Sequence, residues 1–133
     1  MTALTSPSSK SLLNLRNVLW ADTASCAGSA LVMILGGSWL TTLTALPQSL
    51  TLWSGLMLIP IAAFIAWVAT RTPIPMAGVW LIIVGNVGWV LASVVVAIAV
   101  KANGLGTTFV LAQAAVVAVL AWLEYAQLKN QAT

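Results

Sequence analysis

The sequence contains no histidine and a single cysteine, Cys26. The missing histidine excludes His-ligated haem, His-ligated zinc and proton relays built on imidazole. One cysteine cannot form an intrachain disulfide or a CxxC motif, and the expected role of Cys26 is that of a small buried residue in a packed helix. The chain also has no Gly-rich phosphate loop, cofactor fingerprint or nucleophile–base pair. The sequence therefore predicts a protein that is not an enzyme and has no metal ligands.

Charged residues are scarce as well. They make up 5% of the chain and hydrophobic residues make up 61%, whereas soluble domains average about 25% and about 45–50%. The net charge of +3 arises from five basic and two acidic residues, which is too sparse to follow the phosphates of a nucleic acid. With a mean hydropathy of +1.05, the chain is predicted to be an integral membrane protein whose principal partner is the lipid bilayer.

Long uncharged intervals separate the charged residues. None occurs between Asp22 and Arg71, between Arg71 and Lys101, or between Lys101 and Glu124. A helix needs about 20 mainly apolar residues to cross the hydrocarbon core, so the first interval accommodates two crossings and the others one each. The sequence predicts an all-α polytopic membrane protein, an antiparallel bundle of four transmembrane helices at 20–45, 50–70, 76–100 and 107–128.

These helices are expected to form one transmembrane domain over 19–128. It follows a disordered or interfacial N-terminal segment, 1–18, and precedes a short cytoplasmic tail, 129–133. Four crossings place both termini on one side of the membrane, and the basic residues of that side are Lys10, Arg16, Arg71 and Lys129, against Lys101 alone on the other. Because cytoplasmic loops carry the excess of Lys and Arg, both termini are predicted to be cytoplasmic.

Tryptophan is abundant, with seven residues. Indole rings prefer the interface between membrane and water, and six of them fall near predicted helix ends. The predicted interfacial anchors are Trp20, Trp39, Trp53, Trp67, Trp80 and Trp122. Trp89 is the exception, because it lies deep within the third predicted helix.

Small residues recur at helical spacing in the first and third predicted helices. Such positions let helix backbones approach closely in membranes. The residues predicted to mediate helix packing are Ala21, Ser25, Gly28, Ser29, Gly85 and Gly88.

Few polar side chains occur within the predicted spans, and each one is a candidate site because polar groups are costly in hydrocarbon. The candidates are Asp22, Asn86, Trp89, Ser93, Gln113 and Glu124. Asn86 is expected near the bilayer midplane, where its amide can bond another helix or bind a ligand. Both acidic residues are expected near cytoplasmic helix ends, too shallow for strong desolvation, solvated by headgroup water or paired with Arg16, Arg71 or Lys129. The alternative is a proton-accepting pair in a cytoplasmic vestibule.

Short motifs along the chain carry one resemblance. They are Leu15-Arg16 with Leu19 and Asp22, Asn86-x-x-Trp89-Val90-x-x-Ser93, and Phe109-Val110-x-x-Gln113-Ala114. With these motifs the chain resembles a group of small four-helix bacterial inner-membrane proteins. The resemblance implies four helices and a location in the bacterial inner membrane, and it implies no particular activity.

Three functions are compatible with these observations. The favoured interpretation is an accessory or structural subunit that packs against a larger membrane complex or against copies of itself. The first alternative is a small oligomeric transporter or channel that uses Asp22, Asn86 and Gln113. The second alternative is a protein that binds a lipid, quinone or pigment between its helices, with Trp89 and Asn86 as contacts.

Overall fold

The computed structural model describes the backbone of residues 14–132 and the side chains of 14–129. This part of the chain forms four helices: α1 (Leu15–Thr44), α2 (Gln48–Thr70), α3 (Met76–Ala99) and α4 (Gly104–Ala132). Each helix contains an 18-residue window with a mean hydropathy between 1.6 and 2.4, and each is long enough to cross a membrane. The predicted all-α class and the four candidate membrane spans are therefore confirmed, as expected of a multi-pass membrane protein.

Three helices begin earlier than predicted: α2 begins two residues earlier, at Gln48, and the other two are capped by asparagine side chains. Asn14 Oδ1 accepts a hydrogen bond of 2.8 Å from the backbone N–H of Asn17, so α1 begins at Leu15. Asn103 Oδ1 accepts one of 2.8 Å from the N–H of Gly106, so α4 begins at Gly104. Each cap satisfies an N–H group that has no partner in the first turn of a helix. Of the predicted segment 1–18, residues 1–13 lie outside the described residues.

The C-terminal end of α4 also differs from the prediction. The helix continues to Ala132, so most of the predicted tail, 129–133, is helical. Leu128 is 4% exposed and packs in the core, which extends the packed part of α4 to the start of that tail. Lys129 lies in the last turn, where a cation is favourable beside the unpaired carbonyl groups.

Helix α1 is interrupted at Gly37. This residue has φ 47° and ψ −131°, a backbone conformation that glycine adopts without the steric cost a Cβ would impose. The helical residues that follow end at Thr44, and the N–H of the cap residue Ala45 donates a 2.8 Å hydrogen bond to Thr41 O. The predicted first helix is thus two consecutive helical stretches.

The helices pack in the order α2, α1, α4, α3. Contacts are extensive between α1 and α2, between α3 and α4, and between α1 and α4, whereas α2 and α3 scarcely touch. Gly55 lets α2 approach α1, because a Cβ at this position would lie 2.9 Å from Ile34 Cγ1. The bundle is closed along three of its helix pairs and open between α2 and α3.

Hydrogen bonds connect both ends of α1 to neighbouring helices. At its start, Arg16 Nη1 donates to Ala69 O and Nη2 donates to Arg71 O at 3.2 Å, at the end of α2. At its end, the Asn103 side chain donates to Leu43 O at 2.8 Å and the Asn103 N–H donates to Thr44 O at 3.2 Å. The first contact ties α1 to α2, and the second ties it to the start of α4.

The predicted packing glycines require a correction. A Cβ built on Gly28, Gly85 or Gly88 meets no atom within 4 Å, so these residues do not bring helices together within the chain. Of the other small residues in that prediction, Ala21 is exposed, and Ser25 and Ser29 are partly buried. Helical spacing shows which residues share a face but not which neighbour that face meets, so packing of these glycines within the chain is contradicted, and their packing against another protein stays a prediction.

The six predicted tryptophan anchors are all on the outer surface of the bundle. Their exposed fractions range from 43% for Trp20 to 66% for Trp39 and Trp53. Trp80 and Trp122 both contact the ring of Tyr125, at centroid distances of 5.8 and 6.1 Å. Their role at the membrane interface stays a prediction.

Candidate functional site

Three polar side chains from three helices meet inside the bundle. Asn86 Nδ2, on α3, donates hydrogen bonds to Asp22 Oδ2 on α1 at 2.8 Å and to Glu124 Oε1 on α4 at 2.9 Å. Asp22 and Glu124 are both 0% exposed, and Asn86 is 6% exposed. We refer to Asp22, Asn86 and Glu124 as the acid–amide cluster. It lies where α4 packs against α1 and α3, two helix pairs that make extensive contacts.

The acid–amide cluster has fewer hydrogen-bond donors than its oxygen atoms require. An ionised carboxylate only accepts hydrogen bonds, and an amide nitrogen supplies two. Asn86 uses both on the carboxyl groups, and the Cys26 thiol contacts Asp22 Oδ1 at 3.6 Å. Glu124 Oε2 is buried and has no hydrogen-bond partner within the described residues. A proton or a cation is what would satisfy the remaining oxygen atoms.

The prediction that the two acidic residues are solvated or paired with basic residues is wrong. Both are fully buried rather than shallow, because the α1–α4 and α3–α4 contacts turn their side chains inward. Their partner is Asn86 rather than a basic residue. Arg16 instead donates to the end of α2, and the Arg71 guanidinium lies 5.3 Å from the centre of the Trp67 ring. Lys129 is exposed.

A cavity of about 340 Å³ lies beside the acid–amide cluster, in the opening between α2 and α3. We call it the first cavity. Asn86 belongs to its wall, so one side of the amide meets the acidic residues and the other meets open space. Leu81, which is 61% exposed, lies at the mouth. The remaining lining is mainly apolar: Ser25, Cys26, Ser29, Leu58, Pro60, Ile61, Phe64, Ile65, Ile82, Gly85, Trp89, Gln113 and Val117.

A second cavity, of about 420 Å³, adjoins the first. The two share four lining residues, Ile61, Gly85, Trp89 and Gln113. Ser93, which is 8% exposed, lines the second cavity only. The two cavities lie next to each other along the α2–α3 opening, and we call them together the cleft.

Trp89 presents an unused donor beside this space. Its Nε1 atom is buried and has no hydrogen-bond partner in the part of the chain that the structure describes. A buried N–H group without a partner costs about 1–3 kcal/mol. An oxygen atom of a molecule held in the cleft would relieve that cost.

The six polar candidates predicted from sequence all lie at this site, in two groups. Asp22, Asn86 and Glu124 form the acid–amide cluster. Trp89, Ser93 and Gln113 line the cleft without bonding to that cluster. Within residues 14–132, no three His, Cys, Asp or Glu side chains are grouped so that they could hold a metal ion.

Helix α2 contributes to the site, although no α2 residue was among the candidates predicted from sequence. Its residues Pro60, Ile61 and Phe64 form one wall of the first cavity. They are ordinary apolar residues of a span and carry no polar signal. Cys26 was expected to be buried, which is confirmed at 6% exposure, but its contact with Asp22 was not foreseen. The spacing of these two residues, one helical turn apart, was the available signal.

No protein-family model, no curated protein and no solved structure matches this chain.

Proposed function

We propose that this protein binds a lipid-soluble molecule in the cleft between α2 and α3. The observation that carries the proposal is the first cavity, which opens between two helices that scarcely touch and reaches the buried acid–amide cluster. Ligand sites are mainly apolar cavities of about 300–1,000 Å³ with a few convergent polar groups. A ligand dissolved in the bilayer would enter sideways, without passing through water.

The polar groups on the cleft indicate what such a ligand carries. Trp89 Nε1 is a donor without a partner, and the Asn86 carbonyl oxygen is the part of that amide not used by the carboxyl groups. Gln113 adds an amide that lines both cavities. The lining therefore suits an amphiphile whose apolar tail lies along Ile61 and Phe64 and whose polar head reaches α3.

The proposal includes a membrane arrangement. The four helices would cross the bacterial inner membrane as an antiparallel bundle, with both termini in the cytoplasm. The support for this orientation is the distribution of basic residues, of which Lys101 alone follows α3, together with the positive-inside rule.

The cleft favours ligand binding over the role of an accessory subunit. Close packing against a partner does not require the opening between α2 and α3. It does not require two buried acidic residues either, and burying acidic side chains is energetically costly. A transporter built on Asp22, Asn86 and Gln113 is the second candidate. It is favoured by the direct Asp22–Asn86 hydrogen bond and by the presence of Asn86 and Gln113 on the same cavity wall.

Photolabelling in nanodiscs of zwitterionic phosphatidylcholine tests the proposal. The probe is a long-chain alcohol that carries a diazirine, and labelled peptides are identified by mass spectrometry. We expect saturable labelling of peptides that contain Ile61, Phe64 or Trp89, competed by the unlabelled alcohol. Labelling of the exposed outer face should increase in proportion to probe concentration. Proportional labelling of the cleft peptides as well would contradict the proposal.

The substitution Gly85→Leu should block the cleft. Gly85 lines both cavities, and a Cβ there meets no atom within 4 Å, so the leucine fills ligand space without displacing the chain. We expect the half-saturating concentration of the alcohol probe to rise at least about tenfold, the lower range for adding apolar bulk to a pocket. The matched control is Gly28→Leu, because Gly28 is equally unobstructed and is not part of either cavity wall. Equal effects of the two substitutions would contradict the assignment.

A further inference from the structure

The acid–amide cluster holds two acidic groups that form no ion pair with a basic residue of the described part of the chain. Within the described residues, Asp22 and Glu124 accept hydrogen bonds from the Asn86 amide and the Cys26 thiol, both of which are uncharged donors. Burial penalises each negative charge, and two charges beside one amide also repel each other. The two carboxyl groups therefore have no counter-charge among the described residues.

The other charged and titratable groups of the described helices do not reach the acid pair. Helices α2 and α3 contain no Asp, Glu, Lys, Arg, Cys or Tyr. On α1, the Arg16 guanidinium donates to the end of α2, and only Cys26 contacts Asp22. On α4, Tyr125 and Lys129 are exposed. Among the described residues no positive charge contacts the acid pair, and Asn86 is the member of the cluster that lines the first cavity.

We propose that the cleft selects a lipophilic organic cation, an alkylated ammonium, and exchanges it for the proton on the acid pair. This proposal rests on the proposed function and names the class of its ligand. The carboxyl O–H bond of Asp22 or Glu124 breaks, the proton passes to water, and the carboxylate becomes the counter-charge of the bound cation. No oxidation, reduction or covalent bond to the ligand is involved.

The geometry of the cleft suits such a cation. Asn86 stands between the first cavity and the carboxyl groups, and both of its N–H groups point to those carboxyl groups. Its carbonyl oxygen therefore remains for the ligand, with the dipole of the amide oriented to attract a positive head. Trp89 on α3 and Phe64 on α2 both contribute aromatic rings to the lining of the first cavity, and the face of an aromatic ring attracts a cation.

The test compares two diazirine probes with identical tails in phosphatidylcholine nanodiscs, one with a hydroxyl head and one with a trimethylammonium head. The trimethylammonium group keeps its charge at every pH, so any proton released comes from the protein. At pH 8 we expect the cation to half-saturate labelling of the cleft peptides at a concentration at least about tenfold lower than the concentration the alcohol needs. A factor of this size lies within the usual range of coupling free energies between a bound ligand and a second group on the protein. Its half-saturating concentration should rise as the pH falls from 8 to 6, by at most about tenfold per unit for one proton displaced.

A double variant, Asp22→Asn with Glu124→Gln, tests whether the negative charge of the acid pair, rather than the shape of its side chains, favours the cation. The amides keep oxygen atoms that can accept from Asn86 but carry no negative charge. We expect the advantage of the cation and its pH dependence to disappear, while the alcohol still labels the cleft saturably and so reports a folded protein. Glu124→Gln alone should reduce the advantage, and Gly28→Leu should retain it in full.

Proton counting completes the experiment. In weak buffer with a pH-indicator dye, the cation should release up to one proton per molecule bound, and the double variant should release none. If the alcohol labels saturably but the cation has no advantage, keeps it in the double variant, or releases no proton, the cation proposal is wrong and the binding function stands. If neither probe labels the cleft saturably, the binding function itself is wrong.

Discussion

Replacing Asn86 by leucine should destabilise the protein by about 3 kcal/mol, the effect expected when one partner of a buried polar network is removed. Leucine fits a span, so the lipid itself imposes no penalty. The loss arises because Asp22 and Glu124 remain fully buried while both of their amide hydrogen bonds disappear. Single interhelical hydrogen bonds in membranes average only about 0.6 kcal/mol, and the larger value follows because each of two buried carboxyl groups loses the N–H donor that Asn86 supplies. The measurement is the free energy of unfolding from SDS titration in mixed micelles.

Gln113→Leu is the matched control for this experiment. It replaces another amide within a span by leucine, but Gln113 is only partly buried and lines the cleft. Its expected effect on stability is within about 0.5 kcal/mol, as for positions without a buried partner. If the two leucine variants unfold alike, Asn86 does not hold the acid pair together.

Gly106→Ala should be the most damaging Gly→Ala substitution among the described residues. A Cβ at this position would lie 2.1 Å from Thr44 O and 2.8 Å from Ala102 Cβ. The first neighbour is backbone and cannot rotate away, so the start of α4 has to separate from the end of α1. We expect a loss of at least about 2 kcal/mol in the free energy of unfolding, within the range for overpacked sites.

Gly104→Ala provides the comparison, because it adds the same methyl group two residues earlier, where a Cβ meets no atom within 4 Å. It should leave stability unchanged or raise it slightly, since alanine loses less conformational entropy than glycine on folding. The same SDS titration measures both variants. A loss of stability of equal size in both would show that the contact with Thr44 is not the cause.

The spans could be predicted from sequence because the bilayer imposes length and apolarity on them directly. The intervals between Asp22, Arg71, Lys101 and Glu124 were sufficient to place four helices. The helix ends were less accurate, since Asn14 and Asn103 act through side-chain caps that local hydropathy does not register. The break at Gly37 was missed for a similar reason. A glycine within an apolar helix gives no sign of its backbone angles.

The candidate site was predicted residue by residue but not as an assembly. Asp22, Asn86 and Glu124 were each identified as costly groups in a span, which is a property of the residue itself. The Asn86 amide contacts both acidic residues only because of how α1, α3 and α4 are rotated relative to one another. The spacing of residues within each helix does not determine that rotation. The same limitation explains Gly85, which lines the cleft although its spacing suggested tight packing.

The unpaired edges of α2 and α3 have a consequence for any affinity measured with this protein. In a bilayer, acyl chains of lipids would occupy an opening of this kind when no other molecule is bound, so each ligand would have to displace them. The dissociation constant would then depend on chain length and unsaturation of the host bilayer. Values obtained in one lipid, or in detergent, should be compared only with values obtained in the same surroundings.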